Sequence, residues 1–257
     1  MATFVFSAAL SLRPVHQIWI GEPTVPVIKQ NYMETVKRMA ELHGATYKLW
    51  KNENLTRETF PRLWEPISYC IKNKRPWAMI KDLMEWEILD KEGGIYFDTN
   101  VEILNPLGFS GMLVSNATFL SYENIGELSN GVIASSSHSG LTKCALRILV
   151  DSTKKFRFSF LFRKHKTMLD KPPNVVTGPR LVKKCSSERD IKLPFILLYP
   201  YTPWTGRGGP DACLQRQPGK DFVKIGTRYC LPTRLCALKY PRSWAVDHFD
   251  NDGASWV

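Results

Sequence analysis

The sequence predicts an α/β fold with a mostly parallel central sheet, because strand and helix signals alternate over residues 15–104. The chain has 257 residues, of which 44% are hydrophobic and 12% aromatic, as in globular proteins and unlike disordered tails. It contains no internal repeat and no Gly/Ser linker. We therefore predict a single domain over residues 1–257, with residues 1–13 as a poorly ordered or peripheral segment.

The elements of this fold are predicted from short apolar runs and from apolar residues at helical spacing. Strands are predicted at residues 15–20, 45–50 and 95–104, and helices at residues 27–43, 63–72 and 76–92. Gly44 and the pair Gly93-Gly94 are typical helix ends, and Pro76 suits a first helical turn. The later pattern is weaker and predicts a helix at 141–150, a strand at 195–199 and a loop at 202–219.

The chain is basic, with 35 Lys and Arg against 24 Asp and Glu and a formal net charge of +11. This excess indicates an anionic partner, namely nucleic acid, an anionic membrane surface or a phosphate-bearing substrate. Residues 154–166 interleave basic residues with phenylalanines. Such a stretch can bind single-stranded nucleic acid or anionic lipid. It can equally be a solvated surface whose phenylalanines pack into the core. Zinc-finger, RNA-recognition and helix-turn-helix signatures are absent, so nucleic acid ranks last.

The cysteines and the apolar runs bear on the cellular compartment. The six cysteines show no CxxC spacing, which argues against a zinc ribbon and favours free thiols in a reducing compartment. No apolar run reaches the roughly 20 residues that span a bilayer. The first 12 residues lack the basic start of a secretory signal. We therefore expect a cytoplasmic location, with peripheral membrane attachment as an alternative.

Residues 93–101, with the sequence Gly-Gly-Ile-Tyr-Phe-Asp-Thr-Asn-Val, are the most informative segment. In an extended chain Asp98 and Asn100 project to the same face. Two oxygen donors at the end of a strand can share a hard cation such as Mg²⁺ or Mn²⁺, at the sheet edge where open α/β sheets bind ligands. Taken alone, these two residues are equally typical turn formers at a strand end.

The segment resembles the DXD region of nucleotide-sugar glycosyltransferases with the GT-A fold. The resemblance is greatest to the family 32 type, which includes fungal Golgi initiating mannosyltransferases and capsular polysaccharide transferases. Further landmarks follow the family's order along the chain. They are residues 15–21 (Val-His-Gln-Ile-Trp-Ile-Gly), Ala78 and Asp82 on the helix, residues 130–134, the Thr-Gly-Pro turn at 177–179, and residues 245–248 with Ser255-Trp256.

The resemblance implies a GT-A-like, Rossmann-type fold and a metal-dependent, retaining transfer. A hexose would move from a nucleoside-diphosphate sugar to a glycan, glycolipid or glycoprotein acceptor. The roles it implies are Asp98 and Asp82 as catalytic residues, Trp19, Asp82, Asn130 and Tyr96 as donor-binding residues, and Asp98, Asn100 and His248 as ligands of Mn²⁺ or Mg²⁺.

The chain departs from the family's pattern at three positions. Asn100, a neutral amide, replaces the last Asp of the DXD motif, which should weaken metal binding unless Asp98, Asp247 or His248 compensates. Glu85 replaces an Arg on the preceding helix. Lys81 replaces a Ser there and could supply the lost positive charge. These departures leave two alternatives open: a catalytically degenerate relative, and a basic nucleic-acid- or membrane-binding protein.

Overall fold

The computed structural model describes residues 12–124, 127–157, 167–199, 213–214, 223–225, 228–230 and 241–247. Several sequence predictions lie outside these residues. They are nearly all of the N-terminal segment 1–13, most of the basic stretch 154–166, most of the loop predicted at 202–219, and His248 with the Ser-Trp pair near the C-terminus.

The described chain alternates strands and helices through its first hundred residues. The strands are β1 (Val15–Ile18), β2 (Tyr47–Trp50), β3 (Gly94–Phe97), β4 (Val101–Ile103), β5 (Phe119–Asn124), β6 (Glu127–Ser135), β7 (Ile191–Leu193), β8 (Cys213–Leu214), β9 (Val223–Ile225), β10 (Arg228–Cys230) and β11 (Ala245–Asp247). The helices are α1 (Val27–Leu42), α2 (Trp64–Lys72), α3 (Trp77–Glu92), α4 (Ser110–Val114), α5 (Gly140–Arg157), α6 (Pro173–Val176), α7 (Pro179–Cys185) and α8 (Phe195–Leu198).

Six of the described strands form the central sheet, in the order β2-β1-β3-β6-β5-β7. Strand β1 pairs in parallel with β2 and β3, and β5 pairs in parallel with β7. Strand β6 runs antiparallel to both of its neighbours. Three of the five pairings are therefore parallel, which confirms the predicted α/β class with a mostly parallel sheet.

Alternating side chains of the central strands face two separate cores. Tyr96 and Ile133 pack in a cluster with residues of α2, α3, α5 and α7. Their chain neighbours Ile95, Phe97 and Val132 pack on the other face with residues of α1 and α4. Because successive strand residues point to opposite faces, helices cover both sides of the sheet. Because both faces are covered, a ligand can reach the sheet only at the ends of its strands.

Two strand predictions need correction. The strand predicted at 95–104 is two strands, β3 and β4, because residues 98–100 turn and the Val101 N–H donates to the Asp98 carbonyl at 3.1 Å. The strand predicted at 195–199 is the short helix α8, in which the Tyr199 N–H donates to the Phe195 carbonyl at 2.6 Å. A short apolar run suits either structure, and Pro194 directly before it favours a helical first turn.

The prediction of free thiols is wrong for one pair of cysteines. Cys144 on α5 and Cys185 on α7 form a disulfide with their Cα atoms 5.5 Å apart, whereas Cys70 is buried and free. The pair is 41 residues apart in sequence, so no short spacing rule could detect it. Disulfides are typical of oxidising compartments, and the expected cytoplasmic location stays a prediction. None of the described helices is long and apolar enough to cross a membrane.

Candidate functional site

The candidate site lies where the parallel strands β1 and β3 end. Asp98 follows β3 directly, and its N–H donates to the Gly131 carbonyl of β6 at 2.8 Å. Strand β11 pairs with β4 so that Asp247 lies opposite Val101, which brings a second acid beside the turn at 98–100. Strand pairing thus gathers residues that lie far apart in the sequence at one edge of the sheet.

A partly buried lysine, with 19% of its side chain exposed, holds the first acid of the motif. The Lys81 ammonium of α3 donates to Asp98 Oδ1 at 2.5 Å, and the Tyr96 hydroxyl donates to the same oxygen at 2.6 Å. Lys81 Nζ also lies 3.2 Å from Asp82 Oδ1 and 5.4 Å from the centre of the Tyr96 ring. Asp98 Oδ1 is therefore fixed by two donors, which orients the whole carboxylate.

Asp82 lies deeper in the same cluster and is only 1% exposed. Its Oδ1 accepts a hydrogen bond from Asn130 Nδ2 at 2.9 Å, and its Oδ2 accepts one from the Thr177 hydroxyl at 2.7 Å. The Thr177 carbonyl in turn accepts a hydrogen bond from the Trp86 indole at 2.7 Å. Thr177 belongs to the Thr-Gly-Pro landmark, so the structure joins this turn to the helix that carries Asp82.

Three side-chain oxygens converge on Gly131. A Cβ at this position would lie 2.7 Å from Tyr199 Oη, 3.3 Å from Asp98 Oδ2 and 3.4 Å from Asp247 Oδ2. Only glycine leaves this space to the three oxygens. The other oxygen of Asp247 accepts a hydrogen bond from Asn100 Nδ2 at 2.8 Å.

Burial and charge set the protonation states around Asp98. Burial lowers the pKa of Lys81, but the carboxylates around it, above all Asp98, raise that pKa well above its ordinary value. Burial raises the pKa of Glu85 well above its usual range, against the opposing charge of Lys81. Burial likewise raises the pKa of Asp82. Lys81 therefore stays charged, while Glu85, which has no exposed surface, favours its neutral form.

The residues present fit a divalent cation of the Mg²⁺ kind. The described residues hold no group of three His, Cys, Asp or Glu side chains that would form a complete metal centre. Mg²⁺ needs fewer protein ligands, because one or two carboxylates with water and substrate phosphates complete its shell. Asp98 and Asp247, which face the same glycine, supply two carboxylates, and Asn100 lies beside them.

The structure brings most of the predicted site residues together. Asp98, Tyr96, Asp82 and Asn130 form one hydrogen-bonded cluster through Lys81, and Asn100 contacts Asp247 beside it. Trp19 follows β1 at the same sheet edge, and its indole N–H donates to the Glu22 carbonyl at 3.0 Å. His248 lies outside the described residues.

The predicted site residues omitted Lys81 and Tyr199, and Asp247 was named only as a residue that could compensate for the neutral Asn100. Asp247 immediately precedes the predicted ligand His248 and belongs to the same landmark, so that signal was present. Lys81 was noted only as a substitute charge. Tyr199 gave no signal, since it falls in a segment that was predicted to be a strand.

Several solved structures are similar to this chain, and each of the following three is a glycosyltransferase. PaToxG glycosyltransferase has a TM-score of 0.46 and 14% identity, over 68% of this chain and 69% of that one. The UDP-bound glycosyltransferase domain of the YGT toxin has a TM-score of 0.49 and 11% identity, over 72% and 80%. A glycosyltransferase involved in glycosylation of the major capsid of PBCV-1 has a TM-score of 0.36 and 13% identity, over 72% and 84%.

No protein-family model and no curated protein matches the chain. The functional proposal therefore rests on the site and on the ordered sequence landmarks.

Proposed function

We propose that this chain is a metal-dependent, retaining glycosyltransferase of the GT-A-like family 32 type. It would move a hexose from a nucleoside-diphosphate sugar to a glycan, glycolipid or glycoprotein acceptor. The observation that carries the proposal is the convergence of Asp98, Asp247 and Lys81 at the ends of β1 and β3. This edge is where open α/β sheets bind their ligands, and the grouped charges suit a diphosphate with its cation.

The chemistry of such a transfer is the departure of a nucleoside diphosphate from the anomeric carbon. Asp98 and Asp247, with Asn100 and His248 as the further predicted ligands, would hold a divalent cation, which would supply charge neutralisation to the leaving diphosphate. Lys81 and Tyr96 hold Asp98 in one orientation before any donor arrives. Fixing a ligand in advance removes the cost of ordering it when the donor binds.

The buried cluster around Asp82 supports the donor-sugar end of the site. Asn130 and Thr177 hold both oxygens of Asp82, so the helix α3, strand β6 and the Thr-Gly-Pro turn form one unit. We propose that Asp82 and Asn130, together with Tyr96 and Trp19, bind the donor. The catalytic role proposed for Asp82 requires the donor to reach a carboxylate that is almost fully enclosed.

The surplus positive charge of the chain suits an anionic acceptor or an anionic surface. A cation at the site would neutralise most of the donor's charge, so much of the net charge of +11 remains for other contacts. We propose that it serves a polyanionic or lipid-linked acceptor or an anionic membrane surface.

The test is a hydrolysis assay on a panel of uridine and guanosine diphosphate sugars, with Mn²⁺, with Mg²⁺ and with EDTA. We expect wild type to hydrolyse at least one donor only when a divalent cation is present. Asp98→Asn and Asp247→Asn should each lower that rate by at least about a hundredfold, as expected when a group that stabilises the transition state is lost.

The matched control is Asp151→Asn, the same substitution at an exposed position of α5, which should keep the wild-type rate. Activity that ignores the metal and both site variants would contradict the proposed mechanism. A folded wild type that binds a nucleoside diphosphate but hydrolyses no donor would instead support the degenerate relative, which Asn100 and Glu85 suggest.

A further inference from the structure

Trp77 is an exposed aromatic residue on α3, the helix that also carries Lys81 and Asp82. It is the first residue of α3, it is 40% exposed, and it belongs to neither of the two core clusters of the described chain. A tryptophan offers a large apolar area, most of which is buried on average in folded proteins. Core packing therefore does not explain this side chain.

The backbone at Gly21 supports one face of the Trp77 ring. A Cβ on Gly21 would lie 2.8 Å from each of three indole atoms, Cδ1, Cδ2 and Cε2, so the missing side chain points at the flat face of the ring. Gly21 has a φ of 93°, and its N–H donates to Asn52 Oδ1 at 2.8 Å. One indole face thus lies against the backbone at Gly21, while the residue as a whole stays 40% exposed.

Helical spacing places Trp77 in line with the charged cluster. Lys81 follows Trp77 by four residues, so the two side chains lie on the same face of α3, about 6 Å apart along its axis. Gly21 follows the end of β1, the strand that pairs in parallel with the strand before Asp98. Trp77 and the cluster that holds Asp98 therefore lie at the same edge of the sheet.

We propose that Trp77 is a stacking platform for the nucleobase of the donor, an inference that rests on the proposed function. In a nucleoside diphosphate the base and the β-phosphate lie at opposite ends of the molecule. With the diphosphate beside Asp98 and Lys81, the base extends along α3 toward its first turn. A flat base on an indole face gains stacking energy that does not depend on the identity of the base.

The experiment is calorimetric titration of wild type, Trp77→Phe and Trp77→Ala with UDP, GDP and ADP, and separately with inorganic pyrophosphate, at constant Mg²⁺. Pyrophosphate probes the charged end of the site without a base. We expect Trp77→Ala to weaken binding of the nucleotides about ten- to a hundredfold, in line with the loss of one stacked base. Trp77→Phe should keep most of the affinity, and both variants should bind pyrophosphate like wild type.

The control is Ile71→Ala, which removes an apolar side chain of similar exposure (42%) from α2 and should change neither affinity. Unchanged nucleotide affinity in Trp77→Ala would overturn the inference, and so would an equal loss of pyrophosphate affinity. If wild type binds none of the three nucleotides, the proposed function itself fails, which separates the two outcomes.

Discussion

Glu85→Gln tests the protonation of a carboxyl group that the fold encloses completely. Glu85 has no exposed surface, and its Oε1 has no hydrogen-bond partner among the described residues. Its Oε2 lies 3.5 Å from Asn130 Nδ2, at the limit of a hydrogen bond. Burial therefore raises the pKa of Glu85 well above its ordinary value, and the folded protein binds a proton that the unfolded chain releases at neutral pH.

The sign and size of the effect follow from proton linkage. A carboxyl group whose pKa rises on folding contributes its full stability below its unfolded pKa, which is about 4.3 for glutamate, and loses it as the pH rises. The loss is about 1.4 kcal/mol for each pH unit until the folded carboxyl group ionises. Glutamine has the same shape and does not ionise, so the variant should gain stability over wild type by this amount per pH unit. Titrating groups outside the cluster of Lys81, Asp82 and Asp98 cancel in the difference.

The assay is urea unfolding followed by circular dichroism at pH 5, 6, 7 and 8. The matched control is Glu87→Gln on the same helix, where the carboxylate accepts the backbone N–H groups of Arg62 at 2.9 Å and Leu63 at 2.8 Å. An amide offers only one oxygen to these two donors. At pH 5 we therefore expect Glu87→Gln to lower the free energy of unfolding by about 1–3 kcal/mol, whereas Glu85→Gln should be about as stable as wild type.

A stability difference between Glu85→Gln and wild type that is the same at pH 5 and pH 8 would refute the reasoning. Glu85 would then ionise in the folded protein as it does in the unfolded chain, and Lys81 would have one more carboxylate to neutralise.

The remaining predictions concern stability and the space beside Gly131. Burial lowers the pKa of His16 from 6.5 to about 4, so the contribution of His16 to the free energy of unfolding should fall by about 3 kcal/mol as the pH drops through this window. Urea unfolding at pH 4–7 should therefore show wild type losing stability relative to His16→Gln as the pH falls, and a difference that does not change with pH would contradict the prediction. Gly131→Ala adds a Cβ 2.7 Å from Tyr199 Oη, so it should destabilise the fold by about 1–3 kcal/mol, measured by thermal unfolding. It should also lower metal-stimulated donor hydrolysis, and an unaltered rate would show that the site does not use this space. Reduction of the Cys144–Cys185 disulfide, which closes a loop of 41 residues, should lower the free energy of unfolding by about 4 kcal/mol, measured by urea unfolding with and without reductant. The stability of the double Cys→Ala variant should not respond to reductant.

Helices with apolar residues repeated over several turns could be predicted from the sequence. Elements whose bounds depend on a single turn or strand pairing could not. Helix α3 starts and ends where Pro76 and Gly93 predicted, because φ of 66° at Gly93 stops the helix. The break between β3 and β4 went undetected because Val101 and its neighbours suit a strand as well as the residues before the turn. The turn at residues 98–100 separates the two strands, and β4 then pairs with β11, about 150 residues later in the chain.

The candidate site was predictable where its residues share a short motif. Asp98, Asn100 and Tyr96 lie within five residues, and their proximity follows from the chain itself. Asp247 reaches the site only through β11, and no local pattern fixes that pairing. The Cys144–Cys185 disulfide was missed for the same reason, since it depends on the packing of α5 against α7.

Compared with the family that the sequence resembles, α3 carries its positive charge at a different position. The resembled family has Arg where this chain has Glu85, and Ser where it has Lys81. Positions 81 and 85 are one helical turn apart on the same face, so a cation at either can approach the same carboxylates. Here Lys81 takes that position beside Asp98, and Glu85 can remain in the buried cluster because the neutral form is favoured.

The charge balance that results argues for an added cation during donor binding. The convergence on Gly131 sets two carboxylates, Asp98 and Asp247, against the single ammonium of Lys81. A donor diphosphate brings further negative charge to the same place, and like charges repel strongly where little water screens them. Lys81 is already engaged with Asp98 and Asp82, so it cannot also neutralise the donor in full. A divalent cation held by Asp98 and Asp247 would offset this repulsion, so we expect donor binding by this chain to require metal in spite of the neutral Asn100.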